Sequence, residues 1–234
     1  MLSSSFKWKH YEGEIILLNV RWYLKYPLSY RNLEEMMAER GIKVDHTTII
    51  RWVHQYSPEI EKKRRRYLRP TNDSWKVDET YIKVKGEWKY LYRAIDSDGD
   101  TLDFMLSTKR NRTAAKRFFK KALSSNHNQI PRVITVDKNP AYPSAIDKLK
   151  NDKILYKNVE IRQIKYLNNI IEQDHRSIKR IIAPMLGFQF FRSANKTLKG
   201  IEAMNMVKKG QVNNLNYFDF DEVKYINQLF ETVI

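Results

Sequence analysis

Along residues 12–26, apolar side chains fall at Ile15, Ile16, Leu18, Trp22 and Tyr23, the spacing of one helix face, and Pro27 ends the run. Ser29 stands as an N-cap for a second helix over 30–40, which Gly41 closes. After the short turn IKVD, the pattern HTTIIRWVHQY predicts a third helix over 46–56 that stops before Ser57-Pro58. Helix, tight connection and short helix is the sequence shape of a helix-turn-helix. Its second helix would turn Ile49, Ile50, Trp52 and Val53 mostly inward. Thr47, Thr48, Arg51, His54 and Gln55 are then the polar candidates for DNA contact. An ordinary helical hairpin with a solvated face accounts for the same pattern.

From about residue 73 the period changes. Residues 74–86 and 87–100 predict two strands joined by a short link containing Gly86. The SDGD turn at 97–100 leads into a third strand at 101–108. A helix over 111–126 carries Ala114, Ala115, Phe118, Phe119, Ala122 and Leu123 on a broad apolar face. A buried-type strand at 131–137, a short helix at 140–151, a strand at 155–163 and a helix over 166–182 stopped by Pro184 complete the region. Three strands, helix, strand, helix, strand, helix is the order of an α/β domain with a mixed five-stranded sheet and flanking helices. A last helix is expected over 191–211, capped by Ser193. The expected organisation is a helix-turn-helix domain over 1–60, a basic linker over 61–72, a catalytic domain over 73–184 and a C-terminal helical segment over 185–234.

Composition narrows the partner. The chain of 234 residues has 43 Lys and Arg against 27 Asp and Glu, a net charge of +16, with a pI near 9.8. Such a chain attracts polyanions, with nucleic acid as the default partner and a merely basic protein as the plain alternative. The segment EKKRRRYLRP (61–70) concentrates that charge, with Lys62, Lys63, Arg64, Arg65 and Arg66 in succession. Five adjacent cations repel unless a polyanion neutralises them. The absence of cysteine removes disulfides, thiolate zinc sites and cysteine nucleophiles, and fits a reducing, cytoplasmic setting. No apolar run is long enough to span a membrane, and the N-terminus lacks the form of a secretory signal.

Three carboxylates stand out by placement. Asp78 lies within the first strand, on the face of Lys76 and Thr80, with Val77, Glu79 and Tyr81 on the other. A charge there must be paired, solvated or bound to metal. Asp137 ends the fourth strand, where open α/β sheets place their sites, with Lys138 and Tyr142 beside it. Glu172 lies on the helix over 166–182, with His175, Arg176 and Lys179 three, four and seven positions on. Oxygen ligands from three elements suit hard divalent cations, and two Mg²⁺ ions (or Mn²⁺ in their place) can serve both halves of a DNA backbone cleavage. A pairing of Asp78 with a neighbouring lysine and a surface role for Glu172 accounts for the same residues without catalysis. His175 suits DNA contact, orientation of a metal-bound water, or a partly buried hydrogen bond equally well.

The segments VDETYIKVKGEWKYLYRAIDSDG, TVDKNPAY and QIKYLNNIIEQDHRSIKRI resemble the bacterial DDE transposases of the insertion-sequence-six family. The 34 residues between Asp137 and Glu172 match that family's spacing. Lys179 falls where those enzymes carry a basic residue that contacts DNA. SYRNLEEMMAERGIKVDHTTIIRWV resembles their helix-turn-helix, and LGFQFFRSANKTLKGIEAM their C-terminal segment. The resemblance implies a ribonuclease-H-like catalytic domain with Asp78, Asp137 and Glu172 as metal ligands. It also implies binding of terminal inverted repeats, 3′-end nicking, joining to target DNA and cointegrate formation. One departure is Leu167, where similar enzymes often have arginine; Lys165 and Arg162 are the candidate substitutes. Two DNA ends and one site per chain make a homodimer or larger assembly on DNA the expected state, in a bacterial cytoplasm at the nucleoid. The competing function is a non-catalytic DNA-binding regulator derived from such an enzyme.

Overall fold

The computed structural model describes residues 4–7, 9–164, 168–213 and 221–232. The chain divides into two compact units, Arg69–Ser177 on the one hand and Met1–Leu68 with Ile178–Ile234 on the other.

In the split unit, helices α1 (Gly13–Lys25), α2 (Tyr30–Ala38) and α3 (His46–Arg64) are joined by α7 (Phe191–Lys208) and α8 (Glu222–Leu229). The start of α2 is fixed by a full capping box: the Asn32 N–H donates to Ser29 Oγ at 3.1 Å, and the Ser29 N–H donates to Asn32 Oδ1 at 2.9 Å. Gly41, at φ +75°, turns the chain between α2 and α3. Asp45 caps α3 by accepting the Thr47 N–H at 2.7 Å.

The third helix does not stop at Ser57. It runs on through Pro58 to Arg64, although an interior proline costs a helix about 3 kcal/mol. Burial on both sides of the proline offsets that cost: Tyr56, Ser57 and Ile60 are fully buried. Gly200 of α7 lies close against Ser57 and Leu24, and any larger residue there would collide with both. Ser193 is not the cap of α7; the N-cap is Phe190, and the Ser193 hydroxyl donates back to its carbonyl at 2.8 Å.

The other unit holds a five-stranded sheet in the order β3-β2-β1-β4-β5. The strands are β1 (Ser74–Val84), β2 (Glu87–Asp96), β3 (Thr101–Ser107), β4 (Val133–Val136) and β5 (Glu160–Arg162). The first three form an antiparallel meander, and β4 and β5 add in parallel beside β1. A two-residue turn with Lys85 and Gly86 at positive φ closes the β1–β2 hairpin. The last strand is shorter than the sequence pattern suggests: Leu155 and Val159 ahead of it are buried in the core from irregular backbone.

Helices α4 (Arg112–Leu123) and α5 (Ala141–Asn151) cover one face of the sheet. There Trp75, Val77, Tyr92 and Ala94 meet Phe118, Phe119, Tyr142, Ile146 and Leu149. Helix α6 (Asn169–Ile182) follows β5, and the fully buried Arg93 of β2 holds Asp174 in an ion pair at 2.6 Å. The expected start of this helix, with Lys165 and Leu167, lies outside the described residues. Among the described residues no helix is long and apolar enough to cross a membrane.

Candidate active site

The site is built where β1 outruns β4. Val77 pairs with Val136 at the last parallel rung, so Asp78 and Asp137 leave that rung side by side. Oxygens of Asp78, Glu79 and Asp137 all lie within 4.8 Å of one another. Asp137 is oriented twice: its Oδ1 accepts the Asn139 N–H at 3.0 Å and its Oδ2 faces Arg110 at 3.3 Å.

Asp78 is the perturbed member of the group. Burial first, then the charge of Glu79, and further the charges of Asp137 and Glu172, push its carboxyl up to about 7. The strand's alternation places Asp78 on the face of Arg93, its cross-strand partner. Because Arg93 holds Asp174, it also tethers α6 there, two residues beyond Glu172. A buried ion pair of this kind fixes a helix register more than it adds stability.

Glu79, which no local sequence pattern marks as part of the site, joins this group. It is buried, accepts the Tyr142 hydroxyl and is ion-paired to the Arg110 guanidinium. Arg110 thus joins Glu79 to Asp137, while Tyr142, fully buried in the core, is held well above its ordinary value by burial and by Glu79. A core-side acid next to Asp78 in one strand was the available signal; its partner, more than 30 residues away in a loop, carries no local pattern. Tyr142 is therefore a support for Glu79, with no route to phosphate.

The cationic candidates separate. On α6, Glu172, Arg176 and Lys179 are exposed on one stripe, while His175, at the edge of that stripe, is buried like Ile171 and Ile178. Lys138 is exposed and, with Arg112, Lys148 and Gln163, lines an open groove of about 570 Å³ beside Asp137. On α3, Thr47 and Arg51 are exposed and Thr48 partly so. His54 is half-buried, and burial first and Lys196 second hold its imidazole below its ordinary value. The basic run is partly used within the fold. Arg64 is buried, Arg65 is paired with Glu61 at 2.5 Å, and Lys63 sits 4.9 Å over the Phe230 ring. Lys62 and Arg66 are exposed. The burial of Arg64 corrects its expected place at a DNA surface: α3 continues through this segment, and one face of a helix must turn inward.

A mixed sheet in this strand order, with an antiparallel meander leading and helices on its faces, is the ribonuclease-H-like fold of polynucleotidyl transferases. A family model described as a DDE domain matches residues 72–211, more than half of the chain. The transposase for the insertion sequence-like element IS431mec of Staphylococcus aureus (strain Mu50) is 37% identical over 92% of this chain and 93% of its own. The transposase for insertion sequence element IS257 in transposon Tn4003, from the same species, is 36% identical over the same shares. The chain belongs to the insertion-sequence-six family of DDE transposases. Among solved structures, the HTLV-2 integrase catalytic core domain in complex with magnesium aligns at a TM-score of 0.45 and 16% identity, covering 67% of this chain and 97% of that one.

Proposed function

We propose that this transposase binds the terminal inverted repeats of its insertion sequence as duplex DNA, nicks their 3′ ends and joins them to target DNA. Asp78, Asp137 and Glu172 are the catalytic carboxylates, and replicative joining to a cointegrate is the outcome. The observation that carries the reading is the carboxylate group itself: an acid pushed up to about 7 by burial and by three neighbouring acids is a group short of positive charge.

The donor set fits hard divalent cations. It is made of oxygens: those of Asp78, Glu79 and Asp137 lie close enough together to share an ion, and Glu172 on α6, outside that trio, adds its charge at Asp78. Two Mg²⁺ ions, or Mn²⁺ in their place, would activate the attacking oxygen and stabilise the leaving one. The chain's own residues supply position. Asn139 N–H and Arg110 hold Asp137, and Arg93 through Asp174 holds the helix that presents Glu172. Glu79, engaged by Arg110 and Tyr142, acts as a positioning residue and a source of negative field. Lys138, Arg176 and Lys179 supply exposed positive charge for phosphates, and the helix-turn-helix formed by α2 and α3 presents Thr47, Thr48 and Arg51 to the repeat. Each chain carries one carboxylate site and each element two ends, so the working form is at least a homodimer on DNA.

The test is a joining assay on DNA carrying the element's ends, with Mg²⁺. Asp78→Asn, Asp137→Asn and Glu172→Gln should each abolish strand transfer while repeat binding survives. Normal joining by any of the three would refute the assignment.

A further inference from the structure

Beyond Glu79, the face of the β1–β2 hairpin that leads away from the carboxylates is aromatic. The register places Tyr81 opposite Tyr90 and Lys83 opposite Trp88, so these four side chains share one face. Tyr81 meets Tyr90 at 5.6 Å and Trp88 at 6.3 Å between ring centroids, in tilted and edge-on geometry. Trp88 is 60% exposed and Tyr81 44%. Isolated exposed rings are ordinary on a protein surface, but contiguous rings on one sheet face are not.

Two features say what covers them. The first is charge: Lys83 lies on the aromatic face, whereas Glu87 lies on the opposite one, neutralised by Lys89 at 2.6 Å. The second is continuity: Glu79 is the next residue inward on the same face, and Arg110 pairs with both Glu79 and Asp137. Two strand residues advance roughly 7 Å, so Tyr81 stands one such step from the acidic group. Rings beside cations, along a track leading to a phosphate-cleaving site, are what single-stranded nucleic acid binds, because every base has a face to stack.

We propose that Tyr81, Tyr90 and Trp88 form a stacking platform for unpaired bases of the DNA strand engaged at the carboxylates. The inference rests on the transposition reading for the identity of that strand. A strand end parted from its complement exposes base faces, and the platform gives them a partner that intact duplex does not need.

The probe is a 20-nucleotide single strand of mixed sequence with an internal 2-aminopurine, set against the same sequence as duplex. The full-length protein should quench the single-strand fluorescence on binding. Trp88→Ala and Tyr81→Ala should each weaken single-strand binding by about tenfold and relieve the quench. Duplex affinity should change less than twofold, and Trp88→Phe and Tyr81→Phe should keep the quench. Unchanged single-strand binding, or equal loss for single strand and duplex, overturns the platform. So does unchanged quenching with a shift in sedimentation from assembly to monomer, which would make the face a contact between copies. If ring removal leaves quenching intact while the wild type joins DNA ends, the platform alone fails. If quenching depends on the rings but no ends are joined, the transposition reading fails and the single-strand site stands.

Discussion

Replacing Asp78 by asparagine should make the metal-free protein more stable while abolishing joining. The carboxyl moves from 3.8 to about 7 on folding, for burial first and for its acidic neighbours after that. A three-unit rise corresponds to about 4 kcal/mol, and solvent screening at this partly exposed group leaves about 2 kcal/mol. The sign follows from the direction. A raised pKa in the folded state means that folding favours the protonated form. Its contribution is fully present below the unfolded value and is lost as pH rises through about 7. Asparagine never ionises and escapes that loss. In urea titrations with chelator, the variant should match the wild type at acid pH and exceed it by about 2 kcal/mol at pH 8. Millimolar Mg²⁺ should raise the wild-type midpoint and move the variant less. A variant no more stable than the wild type at pH 8, or one whose gain does not vary with pH, would refute the claim that the acids at this site repel one another.

The tether of α6 is tested by Arg93→Ala, which should cost about 3–5 kcal/mol because it strands Asp174 without its buried partner. Changing both residues to leucine should recover most of that loss in a double-mutant cycle; no coupling in urea unfolding would show that the pair does not hold the helix. Gly200→Ala would bring a methyl to 2.6 Å from the Leu24 side chain and 2.7 Å from Ser57 Cβ. The overpacking should outweigh the better helix propensity, leaving the protein about 1–2 kcal/mol less stable; a rise in the urea midpoint would contradict the packing of α3 on α7.

What the sequence made legible followed from local physics. The hairpin at Lys85-Gly86, the Ser29 cap, the broad apolar face of α4 and a strand leading into Asp137, though shorter than the pattern at 131–137 suggests, each have a short-range signature, and the structure has each of them. The features that depart from the local pattern depend on distant partners. Pro58 is a stop signal that long-range burial of α3 overrides, and Ser193 has the composition of a cap without its place. Arg64 looked like one cation among five, yet helix periodicity turns it inward. The same distinction runs through the site. The acids could be picked out by the elements that carry them, because a strand end and a helix face can be read locally. Their supports could not: Arg110 meets Glu79 across the sheet, and Arg93 meets Asp174 from 81 positions away.

That separation bears on how such a site is maintained. The acids destabilise the fold in the absence of cations, as the raised Asp78 carboxyl shows, so something else must hold them together. Arg110 bridges two of the acids, and the Arg93–Asp174 pair anchors the helix of a third. With both arginines in place the Asp78 carboxyl is still raised, so the group remains short of positive charge there. A third arginine close to Asp78 would relieve its repulsion and return its carboxyl toward the ordinary range, and would lower the site's capacity for metal by the same charge. The arrangement is therefore stable enough to persist and still short of positive charge where the chemistry requires it.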